Sequence, residues 1–476
     1  MKKLQKIISA LLALCLLMSF LPATVLAASG TEDPAVDIVS PVVETVPSTQ
    51  PEEAPSEPVI TEPSAPEPTV PQENEEVQET ASTVVESGKC GADLDQENLK
   101  WTLYSDGHLV ITGSGDMHDY DSALDYAPWR DFGLPDVTSI SLPEGLTSIG
   151  DHAFANCPIK VVDIPESVYS IGKNAFLGNE AIEYIKIPSR VTTIHEYTFA
   201  SCTSLKTIVW PTSLYAIGGS AFKNCDSITK LENPDTVMVI DSGAFMGCNG
   251  LTEITLPSQL KEVSDGMFYL CTALPEITLP DSVTRIGVEA FYQCTNLETI
   301  HFSKELTTID QYAFYSCGKL SDLQFPDKLK TIEYMAFDGC HSLETLTFPA
   351  SLRNLGSLVF NRCTKLTDVT FNEGIQEISV GAFWYCYALE RVTLPQSLQS
   401  ILGDAFANCS SLTQINIPFA VTQIGSGAFS GCSKLTSIAL PESLLSISDR
   451  VFSNCSALTD ITFSSQLESI GESAFS

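Results

Sequence analysis

From Val137 to the C-terminus, apolar residues return on a fixed beat. The stretch SQLKEVSDGMFYLCTALPEITLP, Ser258 to Pro280, is followed by DSVTRIGVEAFYQCTNLETIHFS and then KELTTIDQYAFYSCGKLSDLQFP, each 23 residues on. The unit reads I-x-[ILF]-P-x-x-[LV]-x-x-I-x-x-x-A-F-x-x-C-x-x-L-x-x. Its fixed point is a phenylalanine column of fifteen residues, Phe154, Phe176, Phe199 and every 23 residues to Phe475; only the first interval is 22. The I-x-[ILF] part alternates, as in Ile254-Thr255-Leu256, and predicts one short strand per unit that a proline ends. The A-F-x-x-C part predicts a turn on the opposite side.

One such unit cannot bury its apolar face alone, so neighbours must stack into a continuous core. A self-similar period of roughly 20–29 residues with spaced aliphatics marks a leucine-rich-repeat solenoid. The expected fold is a right-handed solenoid of 23-residue units with parallel β strands on its concave face, closed by an N-terminal β-hairpin cap. Fifteen units at about 4.8 Å per strand make a spine of about 70 Å. Each buried Ile, Leu or Phe contributes about 1.5–3 kcal/mol before the cost of ordering it. The unit near Lys230–Val239 is irregular, with Asn233 where an aliphatic belongs, and predicts a local distortion of the strand ladder. The chain stops at IGESAFS, partway through a unit, which leads us to expect a fragment or a frayed end.

Four segments follow from the patterning. Residues 1–27 read as a signal peptide: Lys2, Lys3 and Lys6, an apolar run from Ile7 to Phe20, and Val25-Leu26-Ala27 at the cleavage positions. Lipidation at Cys15 is disfavoured, because Leu14 precedes it where a small residue is wanted. Residues 28–87 read as a disordered spacer, with fourteen Asp/Glu, ten prolines and no Lys or Arg between Thr31 and Ser87. Residues 88–135 read as a β cap module, LKWTLYS and HLVITGS joined by the hairpin signal Asp106-Gly107. Residues 136–476 are the solenoid. In the cap, Asp116, Asp119, Asp121 and Asp125 cluster, but their spacing fits no EF-hand loop, and a solvated loop is the expectation.

Composition narrows the function. A net charge of −34 makes DNA, RNA and anionic lipid surfaces poor partners. Six scattered histidines come with no G-x-S-x-G, H-E-x-x-H or phosphate-binding loop, so an enzyme is not expected, nor a cofactor. Thirteen of the fifteen cysteines sit three residues after the column phenylalanine, from Cys157 to Cys455, and Asn179 holds that slot after Phe176. Bridges between adjacent units suit in-register side chains badly, and the spacing offers no clustered metal ligands. Buried free thiols that act as small hydrophobes are the expectation.

The -IG--AF--C- core and P-x-x-[LV] turn, as in Val283-Thr284-Arg285-Ile286-Gly287-Val288-Glu289-Ala290-Phe291-Tyr292-Gln293-Cys294, resemble the BspA-like leucine-rich-repeat family. Cys90-Gly91, Trp101-Thr102-Leu103, Ile111-Thr112-Gly113-Ser114-Gly115 and Pro128-Trp129 resemble the module that precedes the repeats in that family. The resemblance implies a secreted or surface-displayed, non-catalytic protein. It also implies, for some members, adhesins that bind host matrix proteins or other cells.

Two surfaces are candidates for a protein or glycan partner. The strand face carries Thr255, Thr278, His301, Gln324, Thr347, Thr370, Thr393, Asn416 and Thr462 between the strand aliphatics. The residue after the column phenylalanine is Tyr269, Tyr292 and Tyr315 in three consecutive units and Trp384 further on. Lys223 and Asp338 occupy the same slot elsewhere, which predicts exposure. The readings that follow are an adhesin-like interaction module or a structural, shielding component of a cell surface, extracellular and without membrane insertion after signal cleavage.

Overall fold

The computed structural model describes residues 82–92, 96–121, 126–131 and 133–476. The signal peptide and nearly all of the spacer lie outside them, as does Asp125.

Three antiparallel strands open the described chain: Val84–Lys89, Leu99–Tyr104 and His108–Gly113. The last two form the expected hairpin, with Gly107 at φ 83°. The first strand was not anticipated, and it begins inside the stretch assigned to the spacer. Val84 and Val85 are exposed, so their burial pattern gives no alternating signal; backbone pairing with Leu99–Tyr104 holds the strand in place. His108–Gly113 then pairs in parallel with Ser139–Ser141, which joins the cap to the first unit. Asp116 accepts hydrogen bonds from Thr147 (2.6 Å) and Tyr169 (3.1 Å), and Asp119 accepts one from the Asp151 amide (2.9 Å). These two carboxylates therefore tie the cap to the repeats.

The repeats stack in register, and they carry two strand ladders where the sequence pattern showed one. The anticipated ladder pairs like residues of successive units, such as Ile277 with Ile300 and Thr278 with His301. The second consists of dipeptides ending at the later aliphatic. Five of these form one sheet: Glu262–Val263, Arg285–Ile286, Thr308–Ile309, Thr331–Ile332 and Asn354–Leu355. Two residues are too few to show an alternation. Pairing arises because each backbone N–H near the core needs an acceptor, and stacking brings the same residue of the next unit alongside.

The A-F turn closes the third side with its own inter-unit bonds. The amides of Glu289, Phe291 and Gln293 donate to the carbonyls of Gln311 (3.0 Å), Ala313 (2.7 Å) and Tyr315 (2.8 Å). Glu289 and Gln293 reach this geometry with left-handed φ of 56° and 54°. The column phenylalanines form a continuous stack with centroids 4.9–6.0 Å apart. Trp129 of the cap starts the stack, 5.8 Å from Phe154, with its indole N–H on the Ala153 carbonyl. In the last unit Phe475 is 40% and Ile470 54% exposed, whereas the same columns elsewhere are buried.

At the irregular unit, Lys230–Glu232 pairs in register with Glu253–Thr255 but not with Thr207–Val209. Asn233 is buried, and its Nδ2 donates to the Thr255 carbonyl at 3.1 Å. The first ladder thus breaks on the N-terminal side of this unit, and the second on its C-terminal side, where Val239–Ile240 pairs with Ala216–Ile217 but not with Glu262–Val263.

Candidate functional site

Tyr269, Tyr292 and Tyr315 are brought together on the turn edge. Each follows a buried phenylalanine by one residue, so the rings repeat at the rise of the solenoid. Tyr269 and Tyr292 stack with centroids 4.7 Å apart and planes 3° from parallel; Tyr292 and Tyr315 stack at 4.9 Å and 9°. Stacking hides the ring faces against one another. The three tyrosines are half-buried rather than exposed, and Tyr292, between two neighbours, offers its edge and hydroxyl. Burial raises the phenol pKa values of Tyr269 and Tyr292, and the nearby Glu289 carboxylate adds to both shifts.

The inference of exposure from Asp338 fails: its side chain is fully buried in the same slot of the next unit. Arg362 makes this possible. Its Nε and terminal nitrogen donate to the two Asp338 oxygens at 2.9 and 3.0 Å, and Asn361 donates a third bond at 3.2 Å. Such two-pronged, charge-assisted pairing offsets the desolvation of the carboxylate. The same guanidinium donates to the Tyr315 hydroxyl at 3.3 Å and so closes this end of the tyrosine stack.

Trp384 is not part of the stack. It lies against Tyr385, 4.8 Å away, with Tyr387 beyond at 5.8 Å. Arg362 links the two groups, since its backbone N–H donates to the Trp384 carbonyl at 2.8 Å. Tyr312 and Tyr334 flank the stack edge-on, Tyr312 at 5.9 Å from Tyr315 and 5.4 Å from Tyr334. The result is a strip of tyrosine, tryptophan and arginine along one edge of consecutive units, the residue types that dominate binding energy at protein interfaces. Sequence reasoning missed Tyr312, Tyr334, Arg362, Tyr385 and Tyr387. They occupy other positions of the unit, and their signal was aromatic enrichment of whole turns rather than of one column.

The strand face is separate from this edge. Thr255, Thr278, Thr347 and Thr393 are exposed there, as are His301, Gln324, Asn416 and Thr462, and Thr370 is half-buried. Thr255 and Thr278 line a groove of about 450 Å³.

Models of the BspA-type leucine-rich-repeat region match the chain over residues 132–251, 215–340, 284–412 and 376–476. The chain belongs to this family. No curated protein is detectably similar to it in sequence. A leucine-rich repeat protein from Bacteroides ovatus ATCC 8483 is 27% identical, over 82% of this chain and 89% of that one, with a TM-score of 0.58. A leucine rich cell surface protein from Faecalibacterium prausnitzii A2-165 is 27% identical over 77% and 93% of the two chains, with a TM-score of 0.44.

Within this BspA-type solenoid the cysteine column is interior. All fourteen described cysteines are free and buried. From Cys202 to Cys455 each thiol donates to the carbonyl of the phenylalanine one unit back, at 3.1–3.5 Å. Asn179 does the same with its Nδ2, to Phe154 at 2.7 Å, which explains why Asn and Cys share the slot.

Proposed function

We propose that this chain is a secreted or surface-displayed, non-catalytic interaction module that binds a partner protein, in adhesin-like fashion, along its turn edge. The strip from Tyr269 to Tyr387 carries the reading. It concentrates aromatic residues and Arg362 in consecutive units, whereas the slot after the column phenylalanine holds Ala407, Ser430 and Ser453 in later units. A partner protein is favoured over a glycan because sugars stack on ring faces, and the Tyr292 faces are covered by its neighbours. Among the described residues no helix is long and apolar enough to cross a membrane.

The test is binding of the purified mature chain to arrays of matrix proteins, mucins and glycans. A Tyr292→Ala, Tyr387→Ala, Arg362→Lys variant and a Thr347→Ala, Thr393→Ala variant accompany it. Saturable protein binding that the first variant loses and the second keeps supports the reading. Loss in the second alone moves the site to the strand face. Absence of binding by well-folded protein replaces it with the structural, shielding role.

A further inference from the structure

On the strand face, away from the aromatic edge, the ladder opens between Glu253–Thr255 and Glu276–Thr278, which are adjacent rungs not paired with each other. Pro275 lies at this break and removes one of its bonds. In neighbouring units the residue at this position donates its amide one rung back, as Thr252 does to the Thr229 carbonyl (2.9 Å) and Glu298 to the Pro275 carbonyl (2.8 Å). Proline has no N–H, so the matching bond from residue 275 to the Thr252 carbonyl cannot form. The strand ladder is interrupted between other units as well, but this break coincides with the groove of about 450 Å³.

The chemistry of the groove is one-sided. Its apolar floor includes Ile254, Ile277 and Pro280. Glu253 and Glu276 line it, with the hydroxyls of Thr255 and Thr278, and no Lys, Arg or His does. Glu253 is shared with Lys230 at 2.8 Å, while Glu276 is exposed and, among the described residues, makes no ion pair or side-chain hydrogen bond. The Thr252 carbonyl adds an acceptor where its donor is missing. Apolar floor, two carboxylates and surplus acceptors match a side chain with an aliphatic stem and a head that only donates. We propose that this groove is a second binding site, which takes an arginine or lysine side chain on an extended basic segment of a partner protein. The net charge of −34 steers such a segment toward the molecule, and the groove supplies the local fit.

The probe is a fluorescent, terminally blocked Gly-Arg-Gly-Arg-Gly peptide, titrated into the mature chain at low ionic strength beside its citrulline counterpart, which keeps the shape and loses the charge. Glu276→Gln removes the unpaired carboxylate. Pro275→Thr restores the N–H and closes the rungs, with Pro275→Ala as a substitute should the first fail to fold. Glu344→Gln removes an equal charge from an exposed carboxylate outside the groove lining. We expect saturable binding, weakened about tenfold by Glu276→Gln and by closing the groove, and unchanged by Glu344→Gln. Equal weakening by Glu344→Gln, full binding after closure, or equal binding of the citrulline peptide would overturn the proposal. Variants of the aromatic strip leave this binding intact, so the two sites fail independently.

Discussion

The thiol of Cys294 donates a hydrogen bond to the carbonyl oxygen of Phe268, 3.1 Å away and one unit earlier in the chain. The bond joins two buried groups that have no access to water. Cys294→Ala removes one of two donors to this carbonyl, which keeps the Cys271 amide at 3.0 Å, so it is expected to cost about 0.5–1.5 kcal/mol. Cys294→Ser keeps a donor and is expected to cost less. Urea denaturation midpoints of the two variants decide the order.

Burial also governs the reactivity of these thiols. It pushes Cys202 and Cys248 up to about 12, so almost no thiolate exists near neutrality. Iodoacetamide at pH 8 is expected to leave the fourteen described cysteines of the folded protein unmodified and to label all of them in guanidinium. Intact mass measured before and after denaturation reads both numbers, and native labelling of more than one or two column cysteines would refute the expectation.

Removing Arg362 strands the Asp338 carboxylate in the core. A fully buried pair broken on one side loses about 3–5 kcal/mol; because Arg362 is itself half exposed, we expect about 2–3 kcal/mol for Arg362→Ala. A further Asp338→Ala change is expected to recover part of this loss, since it removes the stranded charge. Thermal unfolding of the single and double variants gives the coupling directly.

Tyr292 touches a ring on each side, so Tyr292→Ala breaks two stacked pairs, and about 1–3 kcal/mol is the expected loss. Tyr292→Phe keeps both stacks and is expected to be near neutral for stability. It removes the hydroxyl, so a partner that engages the edge of the strip discriminates between Tyr and Phe while the melting temperature does not.

Much of the fold was legible because the chain repeats. The 23-residue spacing of Phe268, Phe291 and Phe314 places each ring beside the next, and the companion columns at Cys271 and Ile277 follow. The second ladder at Arg285–Ile286 was not legible, since a dipeptide carries no alternation. The candidate site was legible as three tyrosines and Trp384 in one column, and no further. Pro275 was visible in LPEITLP, yet its effect depends on the Thr252 carbonyl of the preceding unit, which it leaves without that donor.

By itself the sequence determined the solenoid, its period and the columns that face the core, because stacking in register turns a fixed spacing into direct contact. Only the tertiary structure decided how neighbouring side chains share the space between units. It turned the tyrosines onto one another so that their faces are hidden, buried Asp338 under Arg362, and opened the rungs at Pro275. Each of these outcomes is set by the rise between units and the partners it brings within reach, which residue identity along one chain segment does not encode.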